Sequence, residues 1–319
     1  MTLPGPGALA VIVTDWGQSA WAKRFAALAP GRAIAEWPDI SNPAQIAYAA
    51  VWRPEPGALA AFPNLKAIFN LGAGVDHLLD DPALPDVPVV RVVDDSLTAP
   101  MSTYIVAQVL LHFRQHLAYM EFQRQQRWKP LRQPHAGEMG VGILGLGTLG
   151  RDAAAKLLGL GFNVAGWSRS PKSIEGVRSF AGPGQLDDFL ARTDILVSLL
   201  PATPATRGMV DRSLLARLRQ GGPLGGAIYI NAGRGATQVE ADILAALEAG
   251  ELAGASIDVF ETEPLDRASP LWRHPRVVVT PHVAADTDLE AISRYVIEQI
   301  HKFEAGRPLA NIVERSKGY

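Results

Sequence analysis

The chain has 319 residues, a net charge of −2 and no cysteine. That length suits two ordinary domains or one large one. The charge offers nothing to attract nucleic acid or anionic lipid, and the missing cysteine rules out disulfides, thiolate catalysis and cysteine-based metal sites. Apolar residues make up 48% and charged residues 19%, a globular composition. The N-terminal "MTLPGPGALAVIVTDW" lacks a basic lead-in and carries early prolines, unlike a secretory leader. No apolar run is long enough to span a bilayer, so a soluble cytoplasmic protein without metal is expected.

In chain order, "ALAVIVT" (8–14) predicts a buried strand. Trp21, Phe25 and Leu28 then recur at helical spacing until Pro30-Gly31 breaks the pattern. "IAYAAVW", "LKAIFNLG" and "VPVVRVV" predict further strands, so the first hundred residues alternate as a parallel α/β sheet does. A long amphipathic helix is expected from Pro100, with Val106, Leu110, Phe113, Leu117 and Met120 on one face. Its far end is basic (Arg124, Arg127, Lys129, Arg132), which fits a solvated helix end or a subunit contact.

A second alternating series follows. "GVGILG", "FNVAGWS", "ILVSLLP", "GAIYINAG", "GASIDVF" and "RVVVTPH" read as strands. "GTLGRDAAAKLLGLG", "LDDFLARTD", "RSLLARLRQ" and "EADILAALEAGEL" read as helices between them. This is a complete doubly wound domain. The closing helix "DLEAISRYVIEQIHKFEAG" has no following strand in its own series, which suggests that it packs back on the N-terminal half.

Gly145-x-Gly147-x-x-Gly150 follows an apolar strand and opens a helix rich in Ala and Leu, the setting a dinucleotide loop requires. Gly145 permits the tight turn, Gly147 lets the backbone approach a pyrophosphate, and Gly150 lets helix and strand pack closely. A plain tight turn between strand and helix is the alternative. About twenty positions on, an acidic residue is expected on the ribose 2′-hydroxyl. The chain has Ser168-Arg169-Ser170 there instead. Ser168 removes the repulsion of a 2′-phosphate, and Arg169 can donate a bidentate pair of hydrogen bonds to it, with Ser170 and Lys172 adding to that pair. The stretch therefore points to NADP(H) over NAD(H); an ordinary polar loop is the other reading.

Arg234 in "INAGRG", Glu263 in "DVFETEP" and His282 in "TPHVAAD" each stand just past a predicted strand. Such positions converge on the ligand crevice of a doubly wound sheet. Arg234 would grip a substrate carboxylate and polarise the keto oxygen, and His282 would donate a proton as hydride arrives. Glu263, bonded to the other ring nitrogen, would favour the imidazolium. Taken singly, each has a mundane reading as a surface or capping residue, and only their joint occurrence after successive strands makes a site.

The chain resembles the D-isomer-specific 2-hydroxyacid dehydrogenase family over nearly its whole length. The resemblance is carried by "NLGAGVDHL", "GILGLGTLG", "TDILVSLLPATPATRGMV", "INAGRGATQVE", "DVFETEPL" and "TPHVAA". Within the family, "AVWRP", "WSRS" and "PLWRHPRVVVTPHVAA" are most similar to the glyoxylate/hydroxypyruvate reductase A branch. The resemblance implies two Rossmann-like α/β domains with doubly wound parallel sheets and an active site in the interdomain cleft. The expected substrate domain is 1–99 plus 288–319, and the expected dinucleotide-binding domain is 100–287.

The resemblance further implies that Arg234, Glu263 and His282 are catalytic, with Trp52, Ala73 and Gly74 also on the substrate. Ala73 and Gly74 match a loop whose amides bind the carboxylate, and Trp52 matches an aromatic that closes a small pocket. It places Gly145, Leu146, Gly147, Thr148, Leu149, Gly150, Ser168, Arg169 and Ser170 on the cofactor. Leu200 and Pro201 would pack on the adenine, and Ala232 and Asp258 would lie near the nicotinamide. The implied activity is NADPH-dependent reduction of glyoxylate or hydroxypyruvate in a homodimer joined through the long-helix region, with NAD(H) a second cofactor. A dinucleotide-sensing corepressor of the same fold is the alternative, and formate oxidation is disfavoured by Glu263, where that branch has Gln. The chain departs from the family at Ser102-Thr103-Tyr104, where many members have "AEY", a change that residue chemistry alone does not explain.

Overall fold

The computed structural model describes residues 7–14, 17–93, 95–285 and 288–318. Parts of the N-terminal stretch read as lacking a leader (1–6 and 15–16), and the expected boundary at 287, lie outside the described residues. In chain order the elements are β1 (Ala8–Val13), α1 (Gln18–Leu28), β2 (Ile34–Glu36), β3 (Ile46–Trp52), β4 (Ala67–Asn70), α2 (Asp76–Leu79) and β5 (Val89–Arg91). There follow α3 (Asp95–Phe113), α4 (His116–Arg124), β6 (Gly140–Leu144), α5 (Thr148–Gly159), β7 (Asn163–Ser168), β8 (Arg178–Ala181), α6 (Leu186–Leu190) and β9 (Ile195–Ser198). The series ends with α7 (Arg212–Leu215), β10 (Ala227–Asn231), α8 (Glu240–Glu248), β11 (Leu252–Ile257), β12 (Val277–Val279) and α9 (Leu289–Glu304). Contacts divide the chain into two units, Met1–Leu97 with Thr287–Tyr319, and Thr98–Asp286.

The first unit holds a parallel five-stranded sheet in the order β2-β1-β3-β4-β5. β1 and β3 are buried along their whole length, which is why they read as unbroken apolar runs rather than alternating ones. The closing helix α9 does pack on this unit. Ile292, Val296 and Ile300 recur every four residues on its buried face, and Asp288 caps it by accepting from Ala291 N at 3.0 Å. Two ion pairs tie it to the chain around α1: Arg24 with Glu290, and Arg32 with Glu304 at 2.7 Å. The Arg32 guanidinium lies 5.5 Å from the centroid of the Tyr48 ring, and burial together with Glu304 pushes the Tyr48 hydroxyl up to about 12. Beyond α9 the chain pairs with β5, Val313 N donating to Val89 O at 2.8 Å.

The second unit holds a parallel seven-stranded sheet in the order β12-β11-β10-β9-β6-β7-β8. Its chain reverses direction of travel between β6 and β9, and a doubly wound sheet opens its ligand crevice at such a point. Alternate residues of β10 serve opposite faces. Ala227 and Tyr229 join a core with α6, α7 and α8, while Ile228 and Ile230 join one with α3 and α5. Each fully buried aliphatic side chain contributes roughly 1.5–3 kcal/mol.

Some expectations need correction. The long helix begins at Asp95, so Pro100 lies beyond the first turn and removes the N–H that would bond the Ser96 carbonyl. The polar run before Pro100 supplies the better helix start. The buried face is Met101, Ile105, Val109 and Phe113, at steps of four. Val106 and Leu110, one position on from Ile105 and Val109, lie at the edge of that face and are only half-buried; Met120 is exposed because the helix breaks at Gln115, which adopts φ +56°, and α4 departs on a new course. β2 and β8 were not expected. Both are short, with no fully buried apolar run, and gain their place from neighbouring strands.

Candidate active site

The expected site residues of the second unit stand along the carboxyl-terminal edge of its sheet, in a definite order. His282 follows β12, Asp258 and Glu263 follow β11, Ala232 and Arg234 follow β10, Leu200 and Pro201 follow β9, and the glycine loop follows β6. Ser168, Arg169 and Ser170 close β7. Five steps between strands give this row a length of roughly 24 Å.

At the glycine loop, each glycine has its own reason. Gly145 adopts φ +103°, and a Cβ there would lie 2.9 Å from the Leu199 carbonyl. A Cβ on Gly150 would lie 2.0 Å from the Gly145 carbonyl, so α5 can start against β6 only with glycine at this position. Gly147 has open space before it, where a phosphate can approach the N-terminus of α5. Thr148 is exposed beside it and Leu149 half-buried. Leu146 is only 1% exposed, its side chain seated against Gly166 of β7, so only its backbone can serve a ligand.

At the end of β7 the Ser168 side chain is buried, and its hydroxyl donates to the Ser170 carbonyl at 2.8 Å. This bond shapes the turn that carries Arg169 and Ser170 into solvent. A dinucleotide with a 2′-phosphate therefore fits what the loops present: no carboxylate at the strand end, an exposed guanidinium beside it, and an open helix N-terminus.

Arg234 is held between two loops. A Cβ on Gly233 would meet the Leu200 backbone at 2.8 Å, and one on Gly235 would meet the Phe260 carbonyl at 1.9 Å. The loops after β9, β10 and β11 are thus in backbone contact on either side of the arginine. Beneath it, buried Asn231 accepts from Gly233 N at 2.9 Å and donates to Gln238 at 2.8 Å, and Gln238 donates to the Val259 carbonyl at 2.9 Å. Sequence reasoning missed Asn231 and Gln238; the one signal was a polar residue ending an apolar strand.

His282 Nδ1 lies 2.9 Å from Glu263 Oε2, so the expected imidazole–carboxylate pair is formed. Glu263 is fixed in turn by Phe260 N, which donates to Oε1 at 3.1 Å. His282 has φ +56°, a left-handed conformation costing a non-glycine residue about 1–2 kcal/mol. Its amide donates to the Asp258 carbonyl at 2.8 Å. The Asp258 side chain, fully buried, accepts from Thr280 Oγ1 at 2.6 Å, Val283 N at 2.9 Å and Ala284 N at 3.0 Å. Asp258 thus grips the loop on both sides of the histidine. Ala232 and Leu200 are buried, and Pro201 is half-buried.

Trp52, Ala73 and Gly74 lie in the first unit, at the carboxyl ends of the adjacent strands β3 and β4. Trp52 is 6% exposed and rests on Gly72, where a Cβ would lie 2.2 Å from the indole; its ring meets His77 edge-on at 5.3 Å. Buried Asn70 donates to the carbonyls of Gly72 and Gly74 at 2.7 and 2.9 Å. Across a trans peptide the next amide points the opposite way, so the N–H groups of Ala73 and Val75 face away from Asn70. An anion can be bound there, and Asn70 is the residue that sequence reasoning missed. Among the described residues no cluster suited to hold a metal ion occurs, and no helix is long and apolar enough to cross a membrane.

This geometry agrees with what comparison finds. Residues 106–284 match the model of the D-isomer specific 2-hydroxyacid dehydrogenase NAD binding domain. The chain belongs to the D-isomer-specific 2-hydroxyacid dehydrogenase family. Within it, the chain belongs to the branch like glyoxylate/hydroxypyruvate reductase A. The reductase A of Serratia proteamaculans is 43% identical over 306 residues, 94% of this chain and 96% of the relative. The solved NADPH-dependent glyoxylate/hydroxypyruvate reductase of Sinorhizobium meliloti, in complex with NADP and sulfate, superposes with a TM-score of 0.93 at 46% identity, covering 98% of this chain and all of that one (100%). A probable 2-hydroxyacid dehydrogenase of Rhizobium etli, in complex with NADP, HEPES and L(+)-tartaric acid, gives 0.92 at 44% identity, covering 98% and 100%.

Proposed function

We propose that the protein reduces small 2-keto acids of the glyoxylate and hydroxypyruvate type to 2-hydroxy acids, with NADPH as reductant. The observation that carries this reading is the His282–Glu263 pair at 2.9 Å, one strand end from the glycine-locked Arg234. The three strand ends that bear these residues span about 10 Å, a distance over which side chains can converge on one small molecule. NADP in the Sinorhizobium and Rhizobium relatives, and Ser168 in place of an acid with Arg169 beside it, support the choice of cofactor.

The residues to hold the dinucleotide are Gly145 through Gly150 at the pyrophosphate, Ser168, Arg169 and Ser170 at the 2′-phosphate, Leu200 and Pro201 at the adenine, and Ala232 and Asp258 at the nicotinamide. When bound, the reduced nicotinamide supplies the hydride that attacks the carbonyl carbon. Arg234 binds the substrate carboxylate and draws electron density toward the keto oxygen. His282 gives its Nε2 proton to that oxygen as the carbonyl becomes an alcohol. Glu263 keeps Nδ1 engaged, so that Nε2 is the nitrogen turned to the substrate. Within the first unit, the amides around Ala73 and Gly74 would take a carboxylate, and Trp52, seated on Gly72 beside them, would limit the size of the acid.

A homodimer is part of the proposal. None of the nine residues of α4 is buried, Met120 is 47% exposed and Trp128 is 100% exposed. Such a surface is what a second copy covers. The cytoplasm is the proposed compartment, in keeping with a chain that has no cysteine to oxidise.

The test is NADPH oxidation in the presence of glyoxylate or hydroxypyruvate. Wild-type protein should consume NADPH, and Arg234→Ala should lower kcat/KM by about 10²–10³-fold. A protein that binds NADPH and consumes none would be the sensor of the alternative reading.

A further inference from the structure

The Ser102-Thr103-Tyr104 stretch of α3 has a physical account in the folded chain. Ser102, fully buried, donates to the Thr98 carbonyl and meets Asp152 of α5. Thr103 is exposed and only donates back to the Ala99 carbonyl at 2.8 Å. The Tyr104 hydroxyl lies 2.8 Å from Thr280 Oγ1, and Thr280 Oγ1 donates to Asp258 Oδ1 at 2.6 Å. Proton bookkeeping sets the direction. Thr280 has one hydroxyl proton and spends it on the carboxylate, so Tyr104 is the donor to Thr280. The chain of bonds runs from α3 through Tyr104 and Thr280 into the carboxylate that also holds Val283 N and Ala284 N.

We propose that Tyr104 is a positioning residue for the reaction: it sets the aim of His282 by fixing Thr280, and through Thr280 the Asp258 clamp on the histidine's loop. The proposal rests on the reductase reading of the same site. The loop needs holding because His282 sits in a left-handed conformation that an unsupported histidine leaves readily. Glu263 fixes the ring nitrogen only, and the backbone of the histidine is fixed by Asp258 and Thr280 alone among the bonds described. Burial pushes the Tyr104 hydroxyl well above its usual range, so it keeps its proton and donates at any pH at which the protein works.

The link is also specific to the chemistry of the site rather than to the packing of the helix. Met101, Ile105 and Val109 are the buried side chains that dock α3 on the sheet, and the half-buried Tyr104 ring packs against the same core, a contact that phenylalanine in its place retains. Loss of the hydroxyl therefore loosens the loop without undocking the helix. A loosened loop lets the imidazole stray from the keto oxygen, and an error of about 1 Å can lower turnover as much as a hundredfold.

The experiment is steady-state kinetics with glyoxylate and NADPH on Tyr104→Phe, Thr280→Val, Thr280→Ser and the double variant Tyr104→Phe/Thr280→Val. The proposal expects Tyr104→Phe to lower kcat about tenfold with the KM for NADPH unchanged. Thr280→Val should do at least as much, and Thr280→Ser, which keeps the hydroxyl, should retain activity. The double variant should be no worse than Thr280→Val, since both changes cut one chain. Ser102→Ala serves as the comparison: it removes a buried hydroxyl from the same helix turn and should lower the Tm while leaving kcat unchanged. A Tyr104→Phe protein with kcat within twofold of wild type overturns the proposal, as does a double variant whose loss is the product of the two single losses. If Tyr104→Phe does not fold, Thr280→Val and Thr280→Ser of equal kcat overturn it. A wild-type protein without turnover sinks the reductase reading instead.

Discussion

Arg169 and His112 are two side chains with opposite fates. Arg169 is exposed at the end of β7, and the role proposed for it is to bind a ligand phosphate. A charge-assisted bond of this kind contributes about 2 kcal/mol, a factor of roughly thirty. Arg169→Asp should therefore reduce the ratio of kcat/KM for NADPH to that for NADH about thirtyfold or more, and an unchanged ratio would remove the 2′-phosphate contact. His112 is buried between α3 and β11 with Nε2 2.8 Å from Ser256 Oγ, and Ser256 donates in turn to Gln108 at 2.8 Å. Ser256 can then only accept from His112, which is neutral with its proton on Nε2. Burial lowers the His112 pKa from 6.5 to about 4. The unfolded chain binds this proton more readily than the folded one, so the contribution is fully present above pH 6.5 and is lost as pH falls toward 4. The loss is at most about 3 kcal/mol. Urea denaturation at pH 7 and pH 4.5 should show a steeper fall in stability for wild type than for His112→Gln.

Among the elements, the junction of β6 and α5 is the least forgiving. The first turn of α5 leaves no room for a methyl group at Gly150, whose Cβ would be driven against the Gly145 carbonyl. Gly150→Ala must shift the turn that carries the open amides. The KM for NADPH should rise at least about tenfold, with a Tm several degrees lower. Kinetics and a thermal melt on one preparation check both, and a variant with normal KM would mean that the turn has slack. The helix α3 joins several tasks. Its apolar stripe docks it on the sheet, His112 and Gln108 fix it to β11, and Ser102 ties it to α5. That combination explains why its pattern misled sequence reasoning. Polar residues share its buried face, so the stripe through Val106 and Leu110 looked like the better one.

At the scale of the molecule, each unit is built on a parallel sheet, with its candidate site residues along the carboxyl ends of the strands. The second unit orders them along one line, from the histidine pair at β12 to the arginine at β7. Trp128 is exposed and no residue of α4 is buried, and the proposed dimer puts a second copy over this face. Trp128→Asp should convert a dimer to a monomer in sedimentation analysis. A wild-type monomer at micromolar concentration would refute the dimer.

The sequence by itself determined the strands with unbroken apolar runs, such as β1, β3 and β10, because strands buried on both faces admit little else. It also determined the glycine loop and the candidate residues Arg234, Glu263 and His282, since backbone clearance and ionisable groups are properties of residue type. Only the tertiary structure decided where α3 starts and which of its faces is buried, and that β2 and β8 are strands, because pairing partners supply what a short segment lacks. It alone brought Tyr104, Thr280 and Asp258 into one chain of hydrogen bonds, for no local pattern records which residues of a helix and two distant loops will meet.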